Sequence, residues 1–303
     1  MLLFLEQLLN GLQLGFMLFL MAAGLTLVFG IMGLINLAHG SLYMVGAYGA
    51  AAVTGITGSF VLGLLAALLS AGLCGVLLEL VALRRLYDRD HLDQVLATFG
   101  LILFFNELTK ILFGPQPLYL NVPSWLSGTV ELIPGAPYPA YRLAVIGVGL
   151  LVAVGLFLLV NRTRLGMLIR AGASNREMVS ALGVNISLLY TLVFGLGAML
   201  AGLSGALVGP LLSVEVGMGE GVLILTFVVI VIGGIGSIKG ALVGALLVGV
   251  VDTLGRAYLP GILALVLSAD AANNIGASLA SIAIYLLMAL ILIWRPAGLF
   301  PTQ

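Results

Sequence analysis

Charged residues are scarce in this chain, and their scarcity excludes a water-soluble globular protein. Only 8% of the 303 residues are Asp, Glu, Lys or Arg, whereas about a quarter are charged in soluble domains. Hydrophobic residues make up 62%, and the mean hydropathy is +1.25. The 12 acidic and 12 basic residues cancel at pH 7, which argues against a broad electrostatic surface for nucleic acid. The composition therefore predicts an integral membrane protein.

Cysteine and phosphate-binding motifs are also nearly absent. Cys74 stands alone, which excludes an internal disulfide and a thiol-based metal site. The acidic run DRDHLD at 88–93 contains Arg89, and we interpret it as a solvated loop. Lys239 follows glycines in GGIGSIKG but lacks the spacing and the Ser or Thr of a nucleotide phosphate loop. We therefore expect no enzymatic activity, no metal and no cofactor.

Long charge-free runs indicate transmembrane helices. No charged residue occurs between Glu6 and Glu79, enough chain for three crossings at about 20 residues each. The Leu, Ala, Val and Gly content without period-two alternation favours helices over a barrel. The first residues lack the basic region of a secretory signal, so we expect no cleavage. We predict one all-α transmembrane domain over residues 1–303, a bundle of eight to ten spans with nine as the working number: 8–30, 38–54, 60–82, 93–113, 141–161, 188–210, 221–236, 240–258 and 277–294.

Glycine breaks two of these regions. Segments 221–236 and 240–258 are short, so they form either two crossings or a re-entrant pair. Region 31–40 is either an unwound segment or a simple loop. The segments 25–50 and 225–250 also share a pattern at an offset of 200 residues. We predict that they are structural counterparts flanking a pathway, with His39 and Lys239 at comparable depth, although chance similarity is the alternative in so apolar a chain.

Basic residues predict the orientation. Positive loops face the cytoplasm, and two Arg clusters follow the third and fifth helices: Arg84, Arg85 and Arg89, then Arg162, Arg164, Arg170 and Arg176. Counting helices from these clusters places Lys239, Arg295 and the C-terminus inside. It places the N-terminus and the proline-rich loop 114–140 outside, while a tenth helix would move the N-terminus inside. Tyr119 and Trp125 in that loop are candidates for the membrane interface.

The loop 161–188 is the longest polar stretch on the predicted cytoplasmic side. Ser174 stands three residues before Glu177, the spacing of a capping box, and Gly183 can end the helix that follows. We therefore predict a helix of about 175–182. It is either an ordinary amphipathic connector or a docking element.

Polar and small residues mark a second candidate site. Asn36, His39 and Gly40 lie in the apolar run INLAHGSLY, where polar groups need partners or water. Either Asn36 caps the next helix and His39 bonds free carbonyls, or the turn forms a gate beside the translocation path. The glycines of the later break indicate close helix packing or, alternatively, substrate contact; they are Gly233, Gly236, Gly240, Gly244 and Gly249.

Two charged pairs occur near predicted outer helix ends. Glu107 and Lys110 are three residues apart, and Asp252 and Arg256 are four apart, so each pair shares a helical face. We interpret them as ion pairs at the rim. An external vestibule for a zwitterionic amino acid is the alternative.

The chain resembles the high-affinity branched-chain amino acid permeases of ABC importers, and among them the shorter, LivH-type subunit. The resemblance is carried by GIMGLINLAHGSLYMVGAY at 30–48, LATFGLILFFNELTKILFGP at 96–115, VVIVIGGIGSIKGALVGALLVG at 228–249 and RPAGLF at 295–300. The run EMVSALGVN resembles the family's coupling loop, with Glu177, Ala181 and Gly183 at matching spacing. Met178 and Val179 replace two alanines of the family pattern.

The resemblance implies a permease fold with a cytoplasmic coupling helix in a bacterial inner membrane. It implies coupling residues Ser174, Glu177, Ala181, Leu182 and Gly183. The implied partners are a second, homologous permease subunit in a heterodimer, two cytoplasmic ATPases and an external substrate-binding protein. A urea or short-amide permease is the alternative within the family. A secondary transporter or channel is the alternative outside it, although such proteins need ionisable relays that these spans nearly lack.

Overall fold

The computed structural model describes residues 2–133 and 135–300, so Pro134 of the proline-rich loop lies outside the described residues. The prediction of an all-α bundle is confirmed. Two short 3-10 turns occupy Leu83–Leu86 and Ser124–Leu126, and an antiparallel hairpin pairs β1 (Thr129–Ile133) with β2 (Ala136–Pro139). The helices are α1 (Leu2–Met32), α2 (His39–Thr57), α3 (Phe60–Val81), α4 (His91–Phe113), α5 (Ala140–Arg162), α6 (Arg164–Ser174), α7 (Arg176–Ala181), α8 (Ile186–Val208), α9 (Met218–Gly233), α10 (Ile238–Leu263) and α11 (Ala269–Trp294).

All nine predicted spans are helical, but two fall short of a membrane-spanning helix. In the described ranges, seven helices are long and apolar enough to cross a membrane: α1, α3, α4, α5, α8, α10 and α11. Helix α9 has 16 residues, about 24 Å, against a hydrocarbon core of about 30 Å. Helix α2 has 19 residues but is more polar. Seven crossings are thus supported by length and composition, while the two that complete the working number of nine, α2 and α9, stay predictions.

Two helices extend beyond their predicted bounds, one through polar residues and one through a proline. Helix α11 begins at Ala269 rather than at 277, and its first turns carry Asp270, Asn273 and Asn274. Helix α10 continues past 258 to Leu263 and contains Pro260. Hydropathy detects only the apolar part of a helix, so these polar ends were not predicted.

Helix α1 lies at the centre of the bundle. It packs most extensively on α10 and also on α8, α5 and α9, and its residues from Phe16 to Val28 are buried. Small residues allow the backbones to approach: Gly15 lies against Leu246 of α10, and Gly24 lies against Gly197 of α8. In lipid, close packing of this kind holds helices together.

Contacts between distant segments define the two ends of the bundle. At the hairpin end, which carries the loop 114–140, Asn10 Oδ1 accepts a hydrogen bond from Tyr138 Oη at 2.9 Å. At the basic end, which carries the predicted cytoplasmic Arg clusters, Arg84 bonds Thr191 at 2.9 Å and Tyr190 Oη bonds the Ile31 carbonyl at 3.4 Å. The two ends of α1 thus lie at opposite ends of the bundle, in agreement with the helix count.

Which end faces the cytoplasm stays a prediction that cysteine labelling can test. Ser127 at the hairpin end and Arg176 at the basic end are both exposed. In a Cys74→Ala background, a membrane-impermeant maleimide should label Ser127→Cys in intact cells and Arg176→Cys only after the cells are broken. The reverse pattern would invert the topology.

Candidate functional site

The predicted coupling loop contains two helices rather than one. Helix α6 was not predicted; its first turn is capped by Thr163, whose Oγ1 accepts from the Gly166 amide at 3.1 Å. Gly166 then packs tightly on the Leu159 and Val160 carbonyls at the end of α5. A side chain at this position would collide with backbone, so glycine permits α6 to fold back against α5.

Helix α7 agrees with the predicted helix of about 175–182, but the predicted cap is wrong. Asn175, not Ser174, caps the helix: its Oδ1 accepts from the Met178 amide at 2.9 Å. Ser174 is the last residue of α6 and is therefore helical, whereas Asn175 has the extended backbone that a cap needs, with φ of −155°. The predicted stop at Gly183 is confirmed by its φ of +85°.

Helix α7 is exposed at the basic end. Val179 is buried and anchors the helix, while the side chains of Met178 and Leu182 are 59% and 77% exposed. The five predicted coupling residues are all exposed: Ser174, Glu177, Ala181, Leu182 and Gly183. Large apolar side chains exposed beside a polar rim indicate a surface that contacts either another protein or lipid.

The break between α1 and α2 turns back into the bundle. Residues 33–38 are outside any helix, and Leu34, Asn36 and Ala38 are fully buried. The ring of His39 lies beside Gly24, which is eight residues before the end of α1, or about 12 Å along its axis. Of the two alternatives for region 31–40, the unwound segment applies to residues 33–38, while residues 31–32 and 39–40 belong to α1 and α2.

Buried polar groups in this break lack partners. The Asn36 amide, both ring nitrogens of His39 and the Ser41 hydroxyl have no hydrogen-bond partner in the described part of the chain. The Met21 backbone approaches His39, but not with the geometry of a regular hydrogen bond. The prediction that the Asn36 side chain caps α2 is wrong, because Ala38 occupies the cap position and no side chain bonds there. Buried groups of this kind need water or a ligand.

The second break, between α9 and α10, is a tight turn at the basic end. Gly234 and Gly236 have φ of 104° and 83°, values that favour glycine. Gly240 packs directly on the Gly233 backbone, just as Gly40 packs on Gly219. The close-packing interpretation of these glycines is confirmed, and both counterpart segments are interrupted helices.

His39 and Lys239 do not lie at comparable depth, which corrects the prediction. His39 is completely buried, whereas Lys239 is exposed beside the turn. The reason is that the six residues 33–38 carry the chain inward before α2 begins. The turn of 234–237 instead starts α10 at the surface.

A buried carboxylate network at the basic end was missed by the sequence analysis. Glu79 is 0% exposed and accepts from Arg84 Nε at 3.1 Å, Tyr87 Oη at 2.7 Å and Thr191 Oγ1 at 2.7 Å. The hydrogen bond with Glu79 raises the pKa of Arg84. Burial, and then Glu79, raises the pKa of Tyr87. The network ties the end of α3 to the start of α8.

Gln94 makes a second link that the sequence did not indicate. Its Nε2 donates to the Leu86 and Arg89 carbonyls at 3.1 Å, and its Oε1 accepts from the Ile35 amide at 3.4 Å. One buried side chain therefore joins the loop after α3 to the break after α1. The only sequence signal for either network was a polar residue next to an apolar run.

The two predicted rim pairs exist. Lys110 bonds Glu107 at 2.6 Å, and both side chains are exposed. Arg256 bonds Asp252 at 2.9 Å and also donates to Ser281 at 3.1 Å, which joins α10 to α11. Both pairs agree with the interpretation as ion pairs, and only the contact of Arg256 with Ser281 also links two helices.

Comparison with known proteins identifies the family. The family model for the permease component of branched-chain amino acid transport systems matches residues 7–292. The high-affinity branched-chain amino acid transport permeases LivH of Salmonella typhimurium and of Escherichia coli K12 are 33% and 32% identical, each over 84% of this chain and 87% of the relative. BraD of Pseudomonas aeruginosa is 31% identical over 98% of this chain and 95% of its own length. No solved structure matches significantly.

The match runs through both glycine breaks, the exposed α6–α7 segment and seven apolar helices that make the chain a multi-pass membrane protein. The chain therefore belongs to the family of permease components of branched-chain amino acid transport systems.

Proposed function

We propose that the chain is the permease subunit of an ATP-driven importer in a bacterial inner membrane, and that it carries branched-chain or other hydrophobic amino acids. The observation that carries the proposal is the α6–α7 segment at the basic end. It is fixed by Thr163 and Asn175 caps and exposes Met178 and Leu182, with no residue of the described chain covering them.

A permease subunit of such an importer works with three kinds of partner. The sequence lacks a nucleotide phosphate loop, so two separate ATPases supply the energy, one on α7 of each permease subunit. The second permease subunit is homologous, and the pair forms a heterodimer. A binding protein delivers the substrate at the hairpin end, where Tyr119 and Trp125 of the loop 114–140 are 80% and 66% exposed.

The substrate is proposed from the names of the relatives, because apolar walls alone do not select a solute. Uptake into vesicles that contain the complete transporter separates the two candidates. Labelled leucine should accumulate with ATP, and labelled urea should not. Urea uptake without leucine uptake would assign the short-amide alternative, and uptake of either without ATP would assign a secondary transporter or channel.

The two breaks form the gate in this proposal. Asn36, His39 and Gly40 lie in the buried break, and Gly233, Gly236 and Gly240 lie at or beside the tight turn. Unpaired polar groups and irregular backbone occur inside membranes where they line a cavity or a pathway. Both features occur together in residues 33–41.

The coupling role of α7 can be tested at Gly183. Because φ is +85°, the Gly183→Leu substitution strains the end of α7 by about 1 to 3 kcal/mol and should displace the exposed helix. We expect transport to fall at least about tenfold while ATP hydrolysis by the complex continues.

Gly58→Leu is the matched control for this test. Gly58 has φ of 70° and, like Gly183, has open space around its Cα, but it lies at the turn between α2 and α3. If both variants give the same ratio of transport to hydrolysis, α7 does not couple the two.

A further inference from the structure

A cavity of about 580 Å³ lies at the basic end between α1, α5, α6 and the turn that begins α10. Its lining is largely apolar and includes Phe157 of α5 and Ile169 of α6. The same lining contains the cations Lys239 and Arg170. Helix packing alone does not require cations in the lining of an apolar cavity.

Two cations flank one position on α5. Lys239 Nζ lies 5.6 Å from the centre of the Phe157 ring, and Arg170 Nη1 donates to the Val160 carbonyl. Phe157 and Val160 are three residues apart, or about 4.5 Å along the helix. In the described ranges neither cation has an ion-pair partner, and no Asp or Glu lines the cavity.

The start of α10 adds a third positive element. Ser237 caps this 26-residue helix, and residues 236–239 line the cavity. The amino end of a helix carries a partial positive charge and favours anions.

A buried hydroxyl without a partner lies next to the cavity. Thr26 is completely buried, its Oγ1 has no hydrogen-bond partner in the described chain, and the residue belongs to the cavity lining. Because no part of this side chain is accessible, it is not counted among the groups that can bind a ligand. The cavity thus offers two charges and a helix terminus.

We propose that this cavity binds the phosphate group of an anionic membrane phospholipid. Lys239 and Arg170 neutralise the phosphate, and the acyl chains run along the outward face of α5, where Leu151 and Val154 are 73% and 52% exposed. Basic pockets between helices at the cytoplasmic side are suited to such headgroups.

The charges argue against an amino acid in this cavity. A zwitterion brings an ammonium group as well as a carboxylate, and two neighbouring cations repel it. The phosphate diester of an anionic phospholipid carries only negative charge and has apolar acyl chains, which matches the cations and the apolar residues of the lining. The apolar residues also favour a lipid over free inorganic phosphate.

Lipid at this position would hold α6 against α5 and α10. Ser174, the last residue of α6, lines the same cavity and directly precedes Asn175, the cap of α7. Occupancy would therefore fix the position of the exposed α7. The lipid would act as a part of the scaffold rather than as a substrate.

Native mass spectrometry of the full-length chain in detergent tests the proposal. The chain is titrated with phosphatidylglycerol or with phosphatidylcholine of the same acyl chains. We expect tighter binding of phosphatidylglycerol. We also expect the Lys239→Gln/Arg170→Gln double variant to lose about 30-fold in affinity, from about 1 kcal/mol for each basic residue.

Arg164→Gln is the matched control, because Arg164 is an exposed cation of α6 that does not line the cavity. It should bind phosphatidylglycerol like the parent chain. Lys239→Arg keeps the charge and should bind normally, so it separates loss of the site from loss of folding, which size-exclusion chromatography monitors.

Four results would overturn the proposal. The first is equal binding of the two lipids, and the second is an unchanged affinity in the folded double variant. The third is displacement of phosphatidylglycerol by leucine, which would make the cavity part of the solute path. The fourth is displacement of phosphatidylglycerol by inorganic phosphate, which would assign a free-anion site.

Discussion

The Gly240→Val substitution is expected to abolish transport and to destabilise the folded chain by about 3 kcal/mol, the upper end of the usual cost of overpacking. A side chain on Gly240 would overlap the carbonyl and Cα of Gly233, which are backbone atoms and cannot rotate away. Helix α10 would have to separate from α9 or straighten the turn between them. Thermal unfolding in detergent measures the first effect, and uptake per folded molecule measures the second.

Gly155→Val is the control, because Gly155 lies in the apolar helix α5 with open space around its Cα. It should leave stability and transport nearly unchanged.

Gly40→Val should resemble Gly240→Val, since Gly40 packs on the Gly219 backbone. The gating role requires transport to fall at least as much as the amount of folded chain. Normal transport per folded molecule in both variants would assign the two glycines to packing alone.

The Glu79→Ala substitution should destabilise the basic end by about 3 kcal/mol. It removes the acceptor for Arg84, Tyr87 and Thr191 at once. We take the lower end of the range for a broken buried pair, because the Arg84 side chain is 39% exposed and can regain water. The expected readout is a lower midpoint of thermal unfolding, with faster proteolysis in the loop before α4.

Glu107→Ala provides the comparison, since it breaks an ion pair of similar length whose carboxylate is 67% exposed. Exposed pairs contribute about 0 to 1 kcal/mol. Glu79→Gln should be intermediate, because the amide keeps one acceptor oxygen. Equal midpoints for Glu79→Ala and Glu107→Ala would show that the network adds no stability.

Local patterns predicted the helices and their breaks well. Nine apolar runs became helices, and Gly183 ended α7 with the predicted positive φ. These features depend on hydropathy and on glycine, and both can be read within a window of a few residues. The family resemblance likewise depended on contiguous motifs, and the match over residues 7–292 confirms it.

The errors occurred where a local pattern had two solutions. Ser174 and Asn175 are both good caps, and the choice depended on α6, which continues through Ser174. The offset of 200 residues predicted similar depths for His39 and Lys239. The depths differ because the chain between α1 and α2 runs into the bundle. No local pattern in residues 33–38 indicates that inward direction.

The missed networks involve long separations. Glu79 accepts a hydrogen bond from Thr191, which lies 112 positions later in the sequence. Gln94 accepts one from the amide of Ile35, which lies 59 positions earlier. Neither partner has a motif, so only the packing of α3 against α8 and of α4 near the first break brings them together. The cavity beside Lys239 is likewise assembled from four separate elements.

The central position of α1 has a consequence for biosynthesis. Its face with Gly11 and Gly15 packs on α10, which is synthesised roughly 230 residues later, or about 10 to 50 s later at ordinary translation rates. During that time α1 is inserted without its main partner and must be stable in lipid. This explains why the most buried helix is apolar on all sides, with a hydropathy of 2.3, and carries no ionisable group after Glu6: it has to be soluble in the bilayer before it becomes the core of the protein.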